Sequence, residues 1–185
     1  MRTRLTLALL ACATFAASPS LLAQQQGKDA SAKSEQKKGG LAGQDRKYFQ
    51  EIAQANLAEV QAGRLAQNKA SSEDVKRFAA HMVEDHGKML DEQKAMAKSG
   101  GVQLPKQPSK EQQAALKKLE GVSGEKFDRA YVDQMVKDHE KALKLVQDTA
   151  KNAKDPQLKQ AAEKAAPEVK QHLDMAKKLA DKKSG

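Results

Sequence analysis

Three of the four histidines in this 185-residue chain sit on apolar helix faces. His86 stands at helical spacing from Ala79, Met82, Val83, Met89, Leu90 and Gln93. His139 stands so from Val132, Met135, Val136, Ala142, Leu143 and Val146, and His172 from Ala165, Glu168, Val169, Met175, Ala176 and Leu179. Residues three, four and seven apart share one helix face, so all three imidazoles point into a core. A fourth polar group points the same way. Glu59 is flanked by Ile52, Ala55, Asn56, Ala62, Gly63 and Ala66. A carboxylate or imidazole held away from water needs a partner. His81, ringed by Asp74, Arg77, Phe78, Glu84, Asp85 and Lys88, reads instead as solvated.

Three imidazoles and a carboxylate suit one divalent transition metal: zinc, iron, manganese or copper. Met82, Met89, Met135 and Met175 flank the histidines. Thioether ligation would favour copper(I), but methionine is foremost a filler of irregular cores. Asp85, Asp138 and Glu168 lie close in sequence to the histidines and are candidates to orient them from outside the ligand set. The plain alternative is a buried polar layer in which Glu59 accepts hydrogen bonds from the imidazoles and fixes helix register. Haem chemistry has no support from a Cys-x-x-Cys-His motif, and the chain lacks tryptophan. Nucleophilic catalysis has little either. The single cysteine lies in the leader, and no serine falls on a core face beside a histidine.

The elements that must position these groups are long helices. Counted from the nearest turns, Glu59, His86, His139 and His172 all fall roughly 18–26 Å along their helices at about 1.5 Å per residue. The periodicity predicts helices over about 44–70, 74–99, 124–152 and 156–182, with a short helical piece over about 110–120. Ser71 reads as the cap of the second long helix, with Asp74 at its third position. Ser109 and Gln112 form a capping box. Gly100-Gly101 is a stop signal, and Asp155-Pro156 is a start signal. Pro167 lies inside the last long helix. The expected fold is all-α: a ferritin-like antiparallel four-helix bundle with a long connection, carrying a short extra helix, between helices two and three. Whether that connection crosses the bundle lengthwise or loops at one end is left open by the sequence.

The ends of the chain read differently. Arg2 and Arg4 precede an apolar stretch, Leu5 to Ala17, too short to span a bilayer, and a break at Pro19. Residues 1–23 are expected to be a signal peptide cleaved after Ala23, which sends the protein to the periplasm or outside the cell. The rival reading is a lipoprotein anchored through Cys12. Residues 24–43 are polar and read as a tether, and residues 44–183 as the bundle. The mature chain has no segment apolar enough to be a transmembrane helix. Removing the leader lowers the formal charge from +9 to +7. The remaining basic residues alternate with acidic ones at i, i+4 spacing, as on solvated helix faces. That patterning, the export signal and the few aromatics argue against a nucleic-acid partner. A protein partner or oligomer is left open.

Four segments also carry a resemblance: Phe49–Ala66 (FQEIAQANLAEVQAGRLA), Val75–Leu90 (VKRFAAHMVEDHGKML), Phe127–Leu143 (FDRAYVDQMVKDHEKAL) and Pro167–Met175 (PEVKQHLDM). With their paired Met-x-x-Asp-His phrases, they resemble the bacterial ferritin-like family grouped as domain of unknown function 4142. The resemblance implies an exported helical bundle with a long crossover and no particular activity. Ferritin-like di-iron enzymes use Glu-x-x-His pairs. Here Val83, Val136 and Val169 stand three residues before the core histidines, so a ferroxidase-type centre is not expected. The expected function is an exported binding or envelope-stress protein whose buried His/Glu layer is a candidate site for a divalent metal. The alternatives are a metal-dependent redox or hydrolytic enzyme at the same site, and a purely structural polar layer.

Overall fold

The computed structural model describes residue 41 and residues 43–184. The leader, and the tether apart from Leu41 and Gly43, lie outside the described residues. Within them all regular structure is helical: α1 (Gly43–Lys69), α2 (Glu73–Gly100), α3 (Lys110–Glu120), α4 (Gly124–Asn152) and α5 (Pro156–Ser184). The buried residues of α1 include Phe49, Ala53, Asn56, Val60, Gly63 and Ala66, spaced by three and four as one helix face requires.

Several helix ends follow their local sequence. Gly101 ends α2 with a φ of 62°, a left-handed backbone that glycine adopts without a Cβ penalty. Ser109 Oγ accepts from Gln112 N while Ser109 N donates to Gln112 Oε1. Leu158 N donates to Asp155 Oδ1 at 2.9 Å. Pro167 lies within α5, which continues past it on both sides. The start of α2 differs from expectation. The cap position belongs to Ser72, and no side-chain cap bond forms there. The Ser71 hydroxyl instead donates to Asp128 Oδ2 at 2.7 Å, and the same carboxylate accepts from Ser71 N and Ser72 N at 3.0 Å. A carboxylate from α4 therefore satisfies the orphan N–H groups of the α1–α2 turn. Asp45 of α1 does likewise for the α4–α5 turn, accepting from Lys154 N and Asp155 N.

These two long-range caps decide the topology. Asp128 puts the start of α4 beside the end of α1, and Asp45 puts the start of α1 beside the end of α4. The 101–123 connection must therefore run the length of the bundle, with α3 packing on α1 and α4 on the way. The bundle is a pair of hairpins, α1–α2 and α4–α5, joined by a lengthwise crossover. The core has two apolar blocks. One holds Val75, Phe78, Met82, Phe127, Tyr131 and Met135. The other holds Leu41, Phe49, Ala97, Val102, Ala153 and Leu158. Leu41, assigned to the tether by sequence, is buried in this second block. Burying each large side chain contributes about 1.5–3 kcal/mol.

Between the blocks the interior turns polar. Gly63 helps to set the spacing there. A Cβ on it would lie 2.9 Å from Ala79 O and 2.7 Å from Val83 Cγ2, so glycine permits the close approach of α1 to α2. Seven residues earlier on α1, Asn56 meets α2 at His86.

Candidate metal centre

The polar layer is built from one histidine on each of α2, α4 and α5. His86, His139 and His172 are 3%, 1% and 0% exposed. Their ring centroids are 5.2 to 5.5 Å apart in all three pairs. One nitrogen from each ring lies within 4.8 Å of the other two. The structure thus brings together three of the four groups singled out by sequence.

Each ring is anchored through one nitrogen. His86 Nδ1 is 2.9 Å from Asn56 Oδ1, and Asn56 Nδ2 in turn donates to Gln93 Oε1 at 3.0 Å. His139 Nδ1 is 2.9 Å from the Met135 carbonyl oxygen. His172 Nε2 is 3.1 Å from Asp85 Oδ2. All three partners are oxygen acceptors, so the anchored nitrogen carries the proton and donates. The opposite nitrogen then bears a lone pair. Those opposite atoms, His86 Nε2, His139 Nε2 and His172 Nδ1, are buried without a hydrogen-bond partner among the described residues. Three buried lone pairs without donors are what a cation-binding site presents.

Electrostatics keep the rings neutral. Burial pushes His86 well below the ordinary imidazole value, and His139 and His172 push it the same way. Burial lowers His139 to about 4. Burial also lowers His172, and the Asp85 carboxylate opposes that shift. A neutral imidazole is the form that ligates metal.

Glu59 falls outside the trio. Its Oε1 is 4.0 Å from His139 Nδ1, the nitrogen already donating to Met135, and its Oε2 has no partner. Burial, aided by the charge of Asp138, raises its carboxyl well above the ordinary value, which favours the neutral acid. Asp85 anchors a histidine, but on α5 rather than its neighbour His86. Asp138 accepts from Gln134 Nε2 at 2.8 Å and anchors none of the three rings. Glu168 is half-buried near Asp85, whose charge adds to burial in raising its carboxyl. His81 keeps solvent access, with a side chain that is 41% exposed, yet it also touches the site. It is half-buried, its Nε2 lies 3.1 Å from Asp85 Oδ2, and its ring centroid lies 5.4 Å from that of His172. The acidic neighbours that made it look solvated include the residue that ties it to the site. Asn56 is legible as inward-facing, but nothing in the sequence pairs it with His86 or with Gln93.

A cleft of about 580 Å³ reaches this layer. Its walls include Glu59, His86 and His139 at depth and exposed Glu111, Lys118 and Lys141 toward solvent.

The profile of the family described as "Domain of unknown function (DUF4142)" matches residues 23–179. The chain belongs to this family. No curated protein matches it in sequence. Among solved structures, it is similar to a DUF305 fragment from Deinococcus radiodurans, with 12% identity and a TM-score of 0.69 over 77% of this chain and 99% of that one. A DUF305 protein from Streptomyces coelicolor, described as secreted, gives 12% and 0.66 over 76% and 94%. CopM in its Cu(I)-bound form gives 16% and 0.64 over 76% and 98%. CopM is also known in Cu(II)- and Ag-bound forms. At these identities the likeness is one of fold. The names of these neighbours lend no support to the ferritin-like part of the resemblance.

Proposed function

We propose that this DUF4142 protein is an exported binding protein that holds one transition-metal ion through His86 Nε2, His139 Nε2 and His172 Nδ1. The observation that carries the reading is the trio of buried, partnerless nitrogens, each on a ring whose other nitrogen is anchored. Anchoring of that kind fixes tautomer and orientation, as the outer partners of metal-bound imidazoles do. The metal-bound CopM structures share the fold and support the same reading. Nitrogen donors suit zinc and copper(II). Glu59 stands beside His139 Nδ1, outside the proposed ligand set. Export rests on the leader, on the start of the family match at residue 23 and on the neighbour described as secreted. No helix among the described residues is long and apolar enough to cross a membrane.

One observation favours a second reading. Three protein ligands beside a cleft that leads to solvent is the arrangement of catalytic rather than structural sites. A metal-dependent redox or hydrolytic enzyme would use the cleft for substrate, and azide would then bind the loaded metal and change its spectrum.

The test is thermal. An ion that binds only the folded state at one hundred times its dissociation constant stabilises it by about 2.7 kcal/mol, or about 5–10 °C for a fold of this size. Zinc or copper(II) should raise the melting temperature of tag-free protein, and chelator should reverse the shift. The triple change His86→Ala, His139→Ala and His172→Ala should abolish it. No shift in the wild type, together with a weakened triple variant, would leave the structural polar layer as the function of these residues.

A further inference from the structure

A second group of potential ligands lies against the first. His81 and Asp85 are one helical turn apart on α2, and His172 reaches them from α5. Single ligand atoms from these residues lie within 4.8 Å of one another. Asp85 Oδ2 is 3.1 Å from both His81 Nε2 and His172 Nε2. An i, i+4 pair of ligands on one helix face is a preformed bidentate arm, as in helical zinc motifs. The Asp85 side chain is 11% exposed and that of His81 is 41% exposed. This group therefore meets solvent, whereas the residues of the inner trio are 3% exposed or less.

We propose that His81, Asp85 and His172 form an outer metal site, so that the loaded protein carries two divalent ions with the His172 ring between them. The proposal rests on the inner-site reading. His172 makes the arrangement possible because its nitrogens face different groups: Nε2 meets Asp85, and Nδ1 is one of the buried partnerless atoms. With an ion on each nitrogen the ring is an imidazolate bridge. Its N–H proton passes to bulk water when the outer ion binds. The local charge favours a cation. Asp85 supplies a carboxylate, and Glu168 stands near enough to feel its charge. Among the described residues the ammonium on Asp85 is Lys88 Nζ, at 3.5 Å from Oδ1, on a 65% exposed side chain that pairs more closely with Glu84 at 2.7 Å.

The test uses zinc(II) as the probe on the full, tag-free chain. Native mass spectrometry counts bound ions, and side-chain ¹H–¹⁵N spectra follow the imidazoles. The chain has only four histidines, so each resonance is assignable by substitution. The wild type should bind two zinc ions. His86 and His139 should shift in the first step and His81 in the second. His81→Ala should bind one ion with the first step intact. The double change His86→Ala, His139→Ala should keep the outer ion alone. One ion at saturation in the wild type, with an unshifted His81 resonance, overturns the outer site, as does a His81→Ala protein that still binds two. If the double change removes no ion, it is the inner-site reading that fails, and the His81→Ala stoichiometry still judges the outer one.

Discussion

Two five-residue phrases differ only at the third position, and the fold uses them in two ways. Met82-Val83-Glu84-Asp85-His86 lies on α2, and Met135-Val136-Lys137-Asp138-His139 on α4. Both methionines and both histidines are buried. The phrases part company at the aspartate. On α2 the residue before the histidine turns toward α5, is buried, and holds His172 and His81. On α4 it turns toward the cleft beside α3, stays half-buried, and accepts from Gln134 of its own helix. The histidines differ too. His86 is anchored by a side chain from α1, and His139 by a carbonyl one turn back on its own helix. A helical phrase fixes which way a residue faces. The helix passing in front of it fixes what the residue does.

The largest effect expected from this comparison concerns the metal-free protein in acid. His86 and His139 are kept neutral by burial with no carboxylate anchoring either ring, whereas Asp85 opposes the shift at His172. A folded-state value below the unfolded one means that the stability is fully present above the ordinary 6.5 and is lost as pH falls from there toward about 4 for His139. Each tenfold difference in proton affinity between the folded and unfolded chain is worth about 1.4 kcal/mol, so the loss through this residue is roughly 3 kcal/mol. Urea titrations between pH 8 and 4 should show it. His139→Gln should flatten the curve more than His172→Gln does, and equal flattening would erase the distinction.

Asp85→Ala against Asp138→Ala is the next test. Removing an outer partner of a ligating imidazole costs about 10–100-fold in metal affinity. Asp85→Ala should fall in that range, measured by competition with a chelating dye, while Asp138→Ala should change affinity by less than about threefold. Asn56→Ala should weaken binding by about tenfold, since His86 would lose its acceptor. No side-chain change can remove the carbonyl that anchors His139. If Asp138→Ala proved as damaging as Asp85→Ala, the two phrases would be doing the same work.

Glu59→Gln should have the smallest effect. Its raised carboxyl value means that its contribution is intact below the ordinary carboxylate range and is lost as pH rises through its folded value. At pH 8 the glutamine variant should be as stable as the wild type or slightly more so. Its metal affinity should be nearly unchanged, because Glu59 is outside the trio. A large loss of affinity would restore Glu59 to the ligand set.

What sequence could and could not show follows the same division. Helix extents, the Ser109–Gln112 box, the Asp155 start and the inward turn of three histidines were legible, because each depends on residues within about one turn. The lengthwise crossover was not, because it is decided by Asp45 and Asp128, which cap turns 110 and 57 residues away. The closeness of His81 to the site was not legible for a related reason. Its helical neighbours are charged, and only the tertiary approach of α5 brings His172 to them. Glu59 was correctly placed inward, but periodicity sets a direction and not a reach. Its Oε1 therefore ends 4.0 Å from His139 Nδ1, the nitrogen that faces the Met135 carbonyl.

X-ray absorption at the metal edge tests the central claim most directly. Protein loaded with one equivalent of zinc or copper(II) should show imidazole scattering from three rings, with metal–nitrogen distances near 2.0–2.1 Å. The His86→Ala, His139→Ala, His172→Ala protein should lose that signature. A first shell of oxygen or sulfur with fewer than two imidazoles, or a spectrum the triple change leaves intact, would contradict the assignment of the trio as the metal centre.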